Sequence, residues 1–498
     1  MSGLFSLPTD CIAPFDSLHV VSDLHLGGMP GFQIFKAGET FGKYVDELRK
    51  TNPNQRVALL INGDLVDFLA EDNPLAFDPI GAIAKLTRIT EEEPAFAPIW
   101  TALRAFVATK NRWLLINLGN HDLELALPWV REKLLRVLAG DDDAARGRLR
   151  LTFDGTGIRC RVGNEDILAL HGNEVDTWNV TDFERLRRIG LDLMMGQTVD
   201  DWVPNAGSQL VINVMNSLKH RFPFIDLLKP EQQAVLPTLF ALAPDQRDKL
   251  MAIASVATRL GWDSFRRSVG WLGQADPSLA GSSGLVDETQ LLPDHLRMGM
   301  SHPDFKETLL KQTEERFNER IDPMTLVNLD QQGQYLGWRE AFGKWFGGSD
   351  PAEVLREALE KLQEDKSFDL TNEDDTFCRL DEKVGDGPTF IVAGHTHLER
   401  AIKRKRGRGW YFNSGTWVRL IQLKPEVLRD KTRFKEIFET FKGNMAMLDA
   451  RPDLIIQQLT VVHFWVDGAK TFGELQHVTV EKNKLNVTSV PGTRFPEQ

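Results

Sequence analysis

Short apolar runs recur near the start of the chain and again near its end, and they predict buried β-strands. Runs of this length, bounded by glycine and polar residues, are typical of strands that are covered on both faces. Each run stops at a polar cluster, so we expect the polar side chains to lie on loops at the carboxyl ends of strands. The runs are SLHVV at 17–21, RVALLI at 56–61, RWLLINL at 112–118, DILAL at 166–170 and TFIVA at 389–393.

The segment from 178 to 385 has a different pattern, because its apolar residues recur three and four positions apart. This spacing predicts amphipathic helices. A Gly/Ser-rich stretch at 275–288 predicts a mobile loop that continues to about 305. The predicted helices are TDFERLRRIGLDLMMG, SQLVINVMNSLKHRF, QRDKLMAIASVATRLGWDSFRRSVGWLG, DFKETLLKQTEERFNERI and PAEVLREALEKLQEDK. A further helix at 425–443 and strand-like runs at 460–468 and 475–490 follow.

Composition restricts the class of protein only moderately. The 498 residues allow two to four domains, and the formal net charge of −12 disfavours a dominant nucleic-acid surface. The three cysteines are too scattered for a disulfide framework. We expect neither a secretory signal nor a transmembrane segment, and we therefore predict a cytoplasmic location. The basic run KRKRGR at 403–408 is either a grip on an anionic substrate or partner, or a solvated turn.

The polar clusters contain five motifs in a fixed order: SDLHLGG at 22–28, NGDLVDF at 62–68, GNHD at 119–122, LHGNEVD at 170–176 and AGHTH at 393–397. Their order resembles the pattern DxH, GDxxD, GNH(D/E), H and GHxH of the calcineurin-like metallophosphoesterase superfamily. The resemblance covers about 1–175 and 385–420. It implies an α/β fold, the four-layer α/β/β/α sandwich of metallophosphoesterases, here with an inserted helical cap domain.

The domain organisation expected from this resemblance is discontinuous. Residues 1–177 form the first part of the metallophosphoesterase core and 386–424 the second part. The insertion at 178–385 forms the cap, and 425–498 complete or flank the core. The cap is either a lid over the substrate or a surface for a partner protein or a homo-oligomer.

The resemblance also implies a site for two divalent metal ions, with Asp64 as the bridging carboxylate. Asp23, His25 and His397 complete the set of one metal ion, and Asn120, His171 and His395 complete the set of the other. These donors are oxygen and imidazole groups without a thiolate. That mixture suits Mn²⁺ best, with Fe or Zn²⁺ as alternatives, and it disfavours Mg²⁺.

His121 follows Asn120 and, by the same resemblance, is a catalytic residue rather than a ligand. It serves as the general acid or as a hydrogen-bond donor to phosphate, while a hydroxide between the metals is the nucleophile. Asp67 accepts the other imidazole N–H and fixes the tautomer. The alternative for His121 is a purely structural histidine beside the ligands.

The expected function is hydrolysis of a phosphoester or pyrophosphate bond in a small or amphipathic phosphorylated molecule. The motifs SDLHLGG, LHGNEVD and AGHTHLER are most similar to those of UDP-2,3-diacylglucosamine diphosphatases. Those enzymes usually have Arg where His121 stands and a smaller insertion, so the substrate stays open. One alternative is a metal-dependent nuclease, which the acidic balance disfavours. The other is a scaffold or effector subunit of this fold that acts with a partner protein.

Overall fold

The structure is a computed structural model that describes residues 14–72, 75–176, 179–199, 202–205, 207–208, 211–219, 222–228, 350–361 and 368–496. The helices predicted within 246–273 and 304–321, and the loop predicted at 275–305, lie outside the described residues. In the part of the chain that is described, no helix has the length and apolar character needed to cross a membrane.

The described strands form two large sheets and one small one. The first large sheet has the order β14-β13-β12-β1-β2-β3-β4, the second has the order β5-β6-β7-β9-β8, and β10 pairs with β11. The strands are β1 Ser17–Val21, β2 Val57–Asn62, β3 Arg112–Asn117, β4 Leu149–Thr152, β5 Ile158–Val162, β6 Glu165–Ala169, β7 Phe390–Ala393, β8 Glu399–Lys403, β9 Trp410–Ser414, β10 Leu420–Ile421, β11 Ile455–Ile456, β12 Thr460–Asp467, β13 Lys470–Glu481 and β14 Lys484–Ser489.

The two large sheets pack face to face around a shared apolar core. Alternating residues of β1, such as Leu18 and Val20, point into this core, as do Ile167 of β6 and Phe390 of β7. The other face of β1 and β2 contributes Val21, among others, to a second core. Every position of β1 is therefore buried, which explains why its sequence is a continuous apolar run rather than an alternating one.

Helices cover the outer faces of both sheets and complete the four layers. The second core lies between the first sheet and helices α1 (Gly38–Lys50), α3 (Ala97–Ala108) and α4 (Pro128–Ala139). Phe377 and Leu380 of α9 (Asp375–Val384) pack against the second sheet. The predicted α/β/β/α sandwich is confirmed. The helices are α1 Gly38–Lys50, α2 Ala82–Thr87, α3 Ala97–Ala108, α4 Pro128–Ala139, α5 Asp143–Arg146, α6 Phe183–Met194, α7 Asn216–Lys219, α8 Pro351–Lys361, α9 Asp375–Val384, α10 Pro425–Arg429, α11 Lys431–Phe441 and α12 Met445–Asp449.

The chain divides into two compact units, each of which is built from more than one stretch of the sequence. Unit 1 comprises 1–204, 365–422 and 448–498, and unit 2 comprises 205–364 and 423–447. Helices α10 and α11 therefore group with unit 2. The boundaries expected at 178 and 385 stay predictions.

The basic run at 403–408 forms the turn between β8 and β9, which pair as an antiparallel hairpin. The guanidinium of Arg404 is buried and donates to Asp381 at 2.8 Å. Lys405 is paired with Glu373, and Arg408 with Glu165. These pairings favour the interpretation of the run as a structural turn over that of an anion grip.

Candidate metal centre

The side chains expected to bind metal follow the carboxyl ends of parallel strands in both sheets. Because β1, β2 and β3 are parallel neighbours, the loops after them emerge side by side and carry Asp23, His25, Asp64 and Asn120. In the second sheet, β6 and β7 are parallel neighbours, and the loops after them carry His171, His395 and His397. The two sets meet where the backbone N–H of His395 donates to the Asp23 carboxylate at 3.0 and 3.2 Å.

Three of these side chains converge on one small volume. The Nε2 atoms of His25 and His397 lie 3.0 Å apart, and His397 Nε2 lies 3.3 Å from Asp23 Oδ1. Asp23 and His25 are buried, and the side chain of His397 is only 11% exposed. Two imidazole nitrogens and a carboxylate oxygen at these separations are a donor set that fits one divalent ion.

A second group is built around Asp64 and His171. His171 Nε2 lies 3.2 Å from Asp64 Oδ2, and His25 Nε2 lies 3.6 Å from the same oxygen. His171 Nδ1 donates to the backbone carbonyl of Asn62 at 2.8 Å, so Nε2 is the nitrogen that would face a metal ion. One oxygen of Asp64 therefore lies close to the imidazoles of both His25 and His171.

Asn120 offers an independent test of whether a cation fits here. Its side-chain oxygen is buried and has no hydrogen-bond partner among the described residues. A buried acceptor without a partner costs about 1–3 kcal/mol, and a metal ion beside it would remove that cost. The residues present therefore fit a metal centre.

His395 is placed beside this centre but in a different way. Its ring centre lies 5.4 Å from that of His171, while its Nε2 is 2.7 Å from Asp176 Oδ2. Among the described residues, the close sets of three potential ligands do not include His395. Asp176 was not assigned a role from the sequence. The only signal in the sequence was its place as the last residue of LHGNEVD.

The backbone of this region is unusual, because five of the expected ligands have left-handed conformations. Non-glycine residues rarely adopt positive φ, and such residues cluster where the surrounding fold holds a functional site in place. Their concentration here is independent support for a functional centre. The φ angles are 54° at Asp23, 45° at His25, 52° at Asp64, 68° at His395 and 61° at His397.

Glycine is required next to the ligands because no side chain would fit. A Cβ atom at Gly119 would lie 2.1 Å from Asp64 Oδ1, and one at Gly63 would lie 2.1 Å from His171 Nδ1. Real Cβ contacts are never this short. The glycines of the NGD and GNH motifs thus make room for a carboxylate and an imidazole, in addition to allowing the turn.

His121 and His25 share one buried carboxylate. Asp67 Oδ1 accepts from His121 Nδ1 at 3.1 Å, and Asp67 Oδ2 accepts from His25 Nδ1 at 3.1 Å. The backbone N–H of His121 also donates to Asp64 Oδ1 at 2.9 Å. Asp67 thus holds Nδ1 of both rings in the protonated form, so Nε2 of His121 is the atom suited to exchange a proton with a substrate.

The charges in the site are set by opposing effects. Burial alone would raise the pKa of the carboxyl groups, but the neighbouring imidazoles outweigh it and lower the pKa of Asp23 to about 2. The pKa of Asp64 and of Asp67 is lowered for the same reason. Burial would lower the pKa of His171, yet the Asp64 carboxylate raises it to about 10. The three carboxylates are therefore ionised at neutral pH and can balance the charge of bound cations.

Asp122, the last residue of GNHD, was not assigned a role from the sequence. Its carboxyl group accepts the backbone N–H of Gly119 at 2.7 Å and that of Leu65 at 2.9 Å. It thereby ties the loop after β2 to the loop after β3. Burial and the charge of Asp64 raise its pKa to about 8.

Comparison with known proteins agrees with this geometry. Residues 17–226 match the family model described as calcineurin-like phosphoesterase. The match supports the resemblance to the calcineurin-like metallophosphoesterase superfamily. It indicates a metal-dependent phosphoric ester hydrolase, a class whose members bind divalent metals. It includes the first four motifs and ends before AGHTH, which the fold brings to the same place.

No curated protein and no solved structure matches the chain. The similarity to UDP-2,3-diacylglucosamine diphosphatases therefore stays a prediction.

Proposed function

We propose that the protein is a two-metal phosphoesterase that cleaves a phosphoester or pyrophosphate bond in a small or amphipathic substrate. The observation that carries the proposal is the position of Asp64 Oδ2, which lies 3.6 Å from His25 Nε2 and 3.2 Å from His171 Nε2. A carboxylate between two clusters of imidazole and oxygen donors is what a dinuclear site needs.

The residues divide into two sets around Asp64. Asp23, His25 and His397 would hold one ion, and Asn120, His171 and His395 would hold the other. Two bound divalent ions would neutralise charge on the phosphoryl oxygens and activate water. The imidazole-rich donor set favours Mn²⁺, with Fe or Zn²⁺ as alternatives.

His121 is proposed as the general acid. Asp67 fixes its Nδ1–H, and its side chain is 22% exposed, whereas those of Asp23 and Asp64 are at most 1% exposed. A group that is oriented by a buried carboxylate and still accessible can give a proton to a leaving oxygen. Such a group typically contributes about 10²–10⁴-fold in rate.

The second candidate function is a nuclease, because a dinuclear phosphoesterase site can also cleave a nucleic-acid backbone. The net charge of −12 disfavours it. The basic side chains at 404, 405 and 408 are also engaged with carboxylates of the protein.

The test combines metal analysis with a substrate panel. Purified protein should contain about two Mn²⁺ per chain after incubation with Mn²⁺ and hydrolyse a small phosphodiester. Asp64→Ala should lose hydrolysis and bind less Mn²⁺. The matched control is Asp375→Ala, whose side chain is 90% exposed. Full Mn²⁺ content in Asp64→Ala would refute the bridging role, and efficient cleavage of duplex DNA by the intact protein would favour the nuclease.

The substrate itself needs a wider panel. We propose phosphomonoesters, small phosphodiesters, nucleoside diphosphate sugars, and single- and double-stranded DNA as the minimum set. Preference for a nucleoside diphosphate lipid sugar would support the similarity to UDP-2,3-diacylglucosamine diphosphatases. Preference for a small diester without a nucleotide would separate the protein from those enzymes.

A further inference from the structure

Asp176 contacts His395 of the metal centre and lies in the part of unit 1 that precedes residues 205–364 in the chain. It ends the loop 171–176, which begins with His171 and from which the chain continues towards 205–364. The chain returns through 368–384, which includes α9 and lies just before β7 and His395. We call these two stretches the outgoing loop and the returning segment. Both belong to unit 1.

The contact between Asp176 and His395 decides which ring nitrogen can bind a metal. Asp176 Oδ2 lies 2.7 Å from His395 Nε2, and an ionised carboxylate only accepts hydrogen bonds. Nε2 therefore carries the hydrogen, and Nδ1 carries the lone pair. The side chain of His395 is 10% exposed and that of Asp176 is 21% exposed, so water weakens this hydrogen bond only modestly.

Asp176 is itself held by a residue just beyond the outgoing loop. Asn179 Nδ2 donates to Asp176 Oδ2 at 2.7 Å. Glu174 accepts the backbone N–H of His171 at 3.1 Å and that of Gly172 at 2.6 Å, which ties the start of the loop together. The orientation of His395 is thus determined by several hydrogen bonds in one loop.

The returning segment also contacts the outgoing loop. Arg379, on α9, donates to the backbone carbonyl of Val175 at 2.8 Å. Val175 directly precedes Asp176, so this bond fixes the backbone that positions the carboxylate. A displacement of either segment would move Asp176 relative to His395.

We propose that Asp176 is a positioning residue that presents Nδ1 of His395 to the second metal ion. Through this contact, retention of that ion is coupled to the outgoing loop and the returning segment, both of which belong to unit 1. The inference rests on the proposed two-metal function. Carboxylate partners of metal-binding histidines typically change metal affinity by about 10–100-fold when they are removed.

The test measures Mn²⁺ binding to the full chain rather than activity alone. Wild type, Asp176→Ala, Asp176→Glu and Asp182→Ala are titrated with Mn²⁺ by calorimetry, and bound metal is counted after dialysis at fixed free Mn²⁺. Asp182→Ala is the matched control, because Asp182 caps α6 through Arg185 N a few residues further along the chain. We expect Asp176→Ala to keep one tight site and to bind the second Mn²⁺ about 10–100-fold more weakly. Asp176→Glu should recover part of the affinity.

A second readout tests the coupling to the connecting segments. Hydrogen exchange of the amides at 171–176 and 375–384 should slow when Mn²⁺ is added to wild type, and it should slow much less in Asp176→Ala. Excess Mn²⁺ should restore most of the kcat of Asp176→Ala, since the variant lacks an oriented ligand rather than a reacting group. If Asp176→Ala does not fold, Asp176→Leu, which has a similar shape and no acceptor, replaces it, with a weakened second site expected again.

The outcomes separate this inference from the function on which it rests. Binding of fewer than two Mn²⁺ by wild type would refute the two-metal proposal itself. Two Mn²⁺ in wild type and an equally tight second site in Asp176→Ala or Asp176→Leu would overturn the positioning role alone. Equal weakening in Asp182→Ala would also overturn it, because the effect would then be a general response of the loop.

Discussion

Both carboxylate oxygens of Asp64 have close polar neighbours. One of its oxygens accepts the backbone N–H of His121, and the other faces Nε2 of both His25 and His171. Its backbone is left-handed, with φ of 52°, and Gly119 leaves the space that its carboxylate fills, while Gly63 leaves the space for the neighbouring ring of His171. Any change at these neighbours therefore acts on the centre of the site.

Substitution of His121 tests its role as a proton donor. His121→Asn should keep the metal content of wild type, because the expected ligands stay in place, and it should lower kcat by about 10²–10⁴-fold for substrates with poor leaving groups. The loss should be much smaller for a nitrophenyl ester, whose leaving group needs no proton. The measurement is kcat across a series of esters of graded leaving-group pKa. An equal loss across the series would indicate phosphate positioning instead.

Substitution of Gly119 tests the close packing around Asp64. In Gly119→Ala the new Cβ would lie 2.1 Å from Asp64 Oδ1, so the carboxylate must move. We expect reduced Mn²⁺ content, loss of hydrolysis, and destabilisation of about 1–3 kcal/mol in urea unfolding. The control is Gly387→Ala, where a Cβ meets nothing within 4 Å. Wild-type metal content in Gly119→Ala would show that the site tolerates a shift of Asp64.

The sequence points to candidate ligands and to Asp67 beside them, but it does not point to the contact between Asp176 and His395. Asp23, His25 and Asp64 were identified because each lies in a short motif directly after an apolar run. Asp176 was not, because its partner His395 is 219 residues away in the chain. Only the packing of β6 beside β7 brings the two loops together. Local motifs therefore indicate candidate ligands, whereas the residues that orient those ligands can come from distant parts of the chain and are found only in the folded structure.

At the scale of strands, the local sequence predicts where a strand forms but not which strand it pairs with. The run at 17–21 is β1, and the run at 389–393 corresponds to β7. The strand-like run at 460–468 corresponds to β12, which belongs to the first sheet. Its antiparallel pairing with β1, with His19 opposite His463, was not predictable because side-chain periodicity carries no register information between distant strands.

The β1–β12 contact contains two stacked histidines that are held neutral. The rings of His19 and His463 lie 4.2 Å apart, and Ser17 Oγ is 3.0 Å from Nε2 of each. The hydroxyl of Tyr44 contacts His19 Nδ1 at 2.9 Å. Burial lowers the pKa of His19 well below its usual value, and burial lowers that of His463 to about 4.

This pair predicts acid sensitivity of the fold. Because the folded-state pKa lies below the unfolded value of about 6.5, the unfolded chain binds more protons as the pH falls below 6.5. Stability should be complete above pH 6.5 and should decrease towards pH 4. We expect His463 alone to account for about 1–2 kcal/mol between pH 7 and pH 5. Urea unfolding at several pH values measures the loss, and His463→Gln should reduce it. An unchanged pH dependence in His463→Gln would contradict the assignment.

At the scale of the whole molecule, the catalytic fold is assembled from separated parts of the chain. The family match ends at 226, yet His395 and His397 come from the part of unit 1 that begins at 365. Helices α10 and α11 group with unit 2, whereas residues 448–498 belong to unit 1, and the expectation that 425–498 complete or flank the core stays a prediction. Hydrophobic periodicity identifies these helices but does not record which apolar surface they cover.

This division determines how the role of unit 2 can be tested. Replacing 180–384 would remove α6 and α9, whose residues Leu186 and Phe377 are in the cores of unit 1. Helix α11 belongs to unit 2, and its residues Phe434 and Ile437 are buried. Replacing 205–364 alone would remove the rest of unit 2 and expose this apolar face of α11. The informative variant therefore replaces both 205–364 and 423–447 with short Gly/Ser linkers.

We predict that this two-deletion variant still binds Mn²⁺ and hydrolyses a small phosphodiester, because all the expected ligands and Asp176 lie in unit 1. If unit 2 selects substrates, as lids do elsewhere, the variant should gain activity on bulky phosphodiesters relative to the small one. The measurement is the ratio of kcat/KM for long single-stranded DNA to that for the small diester, with circular dichroism to confirm folding. An unchanged ratio, together with a change in oligomeric state, would assign unit 2 to assembly or partner binding instead.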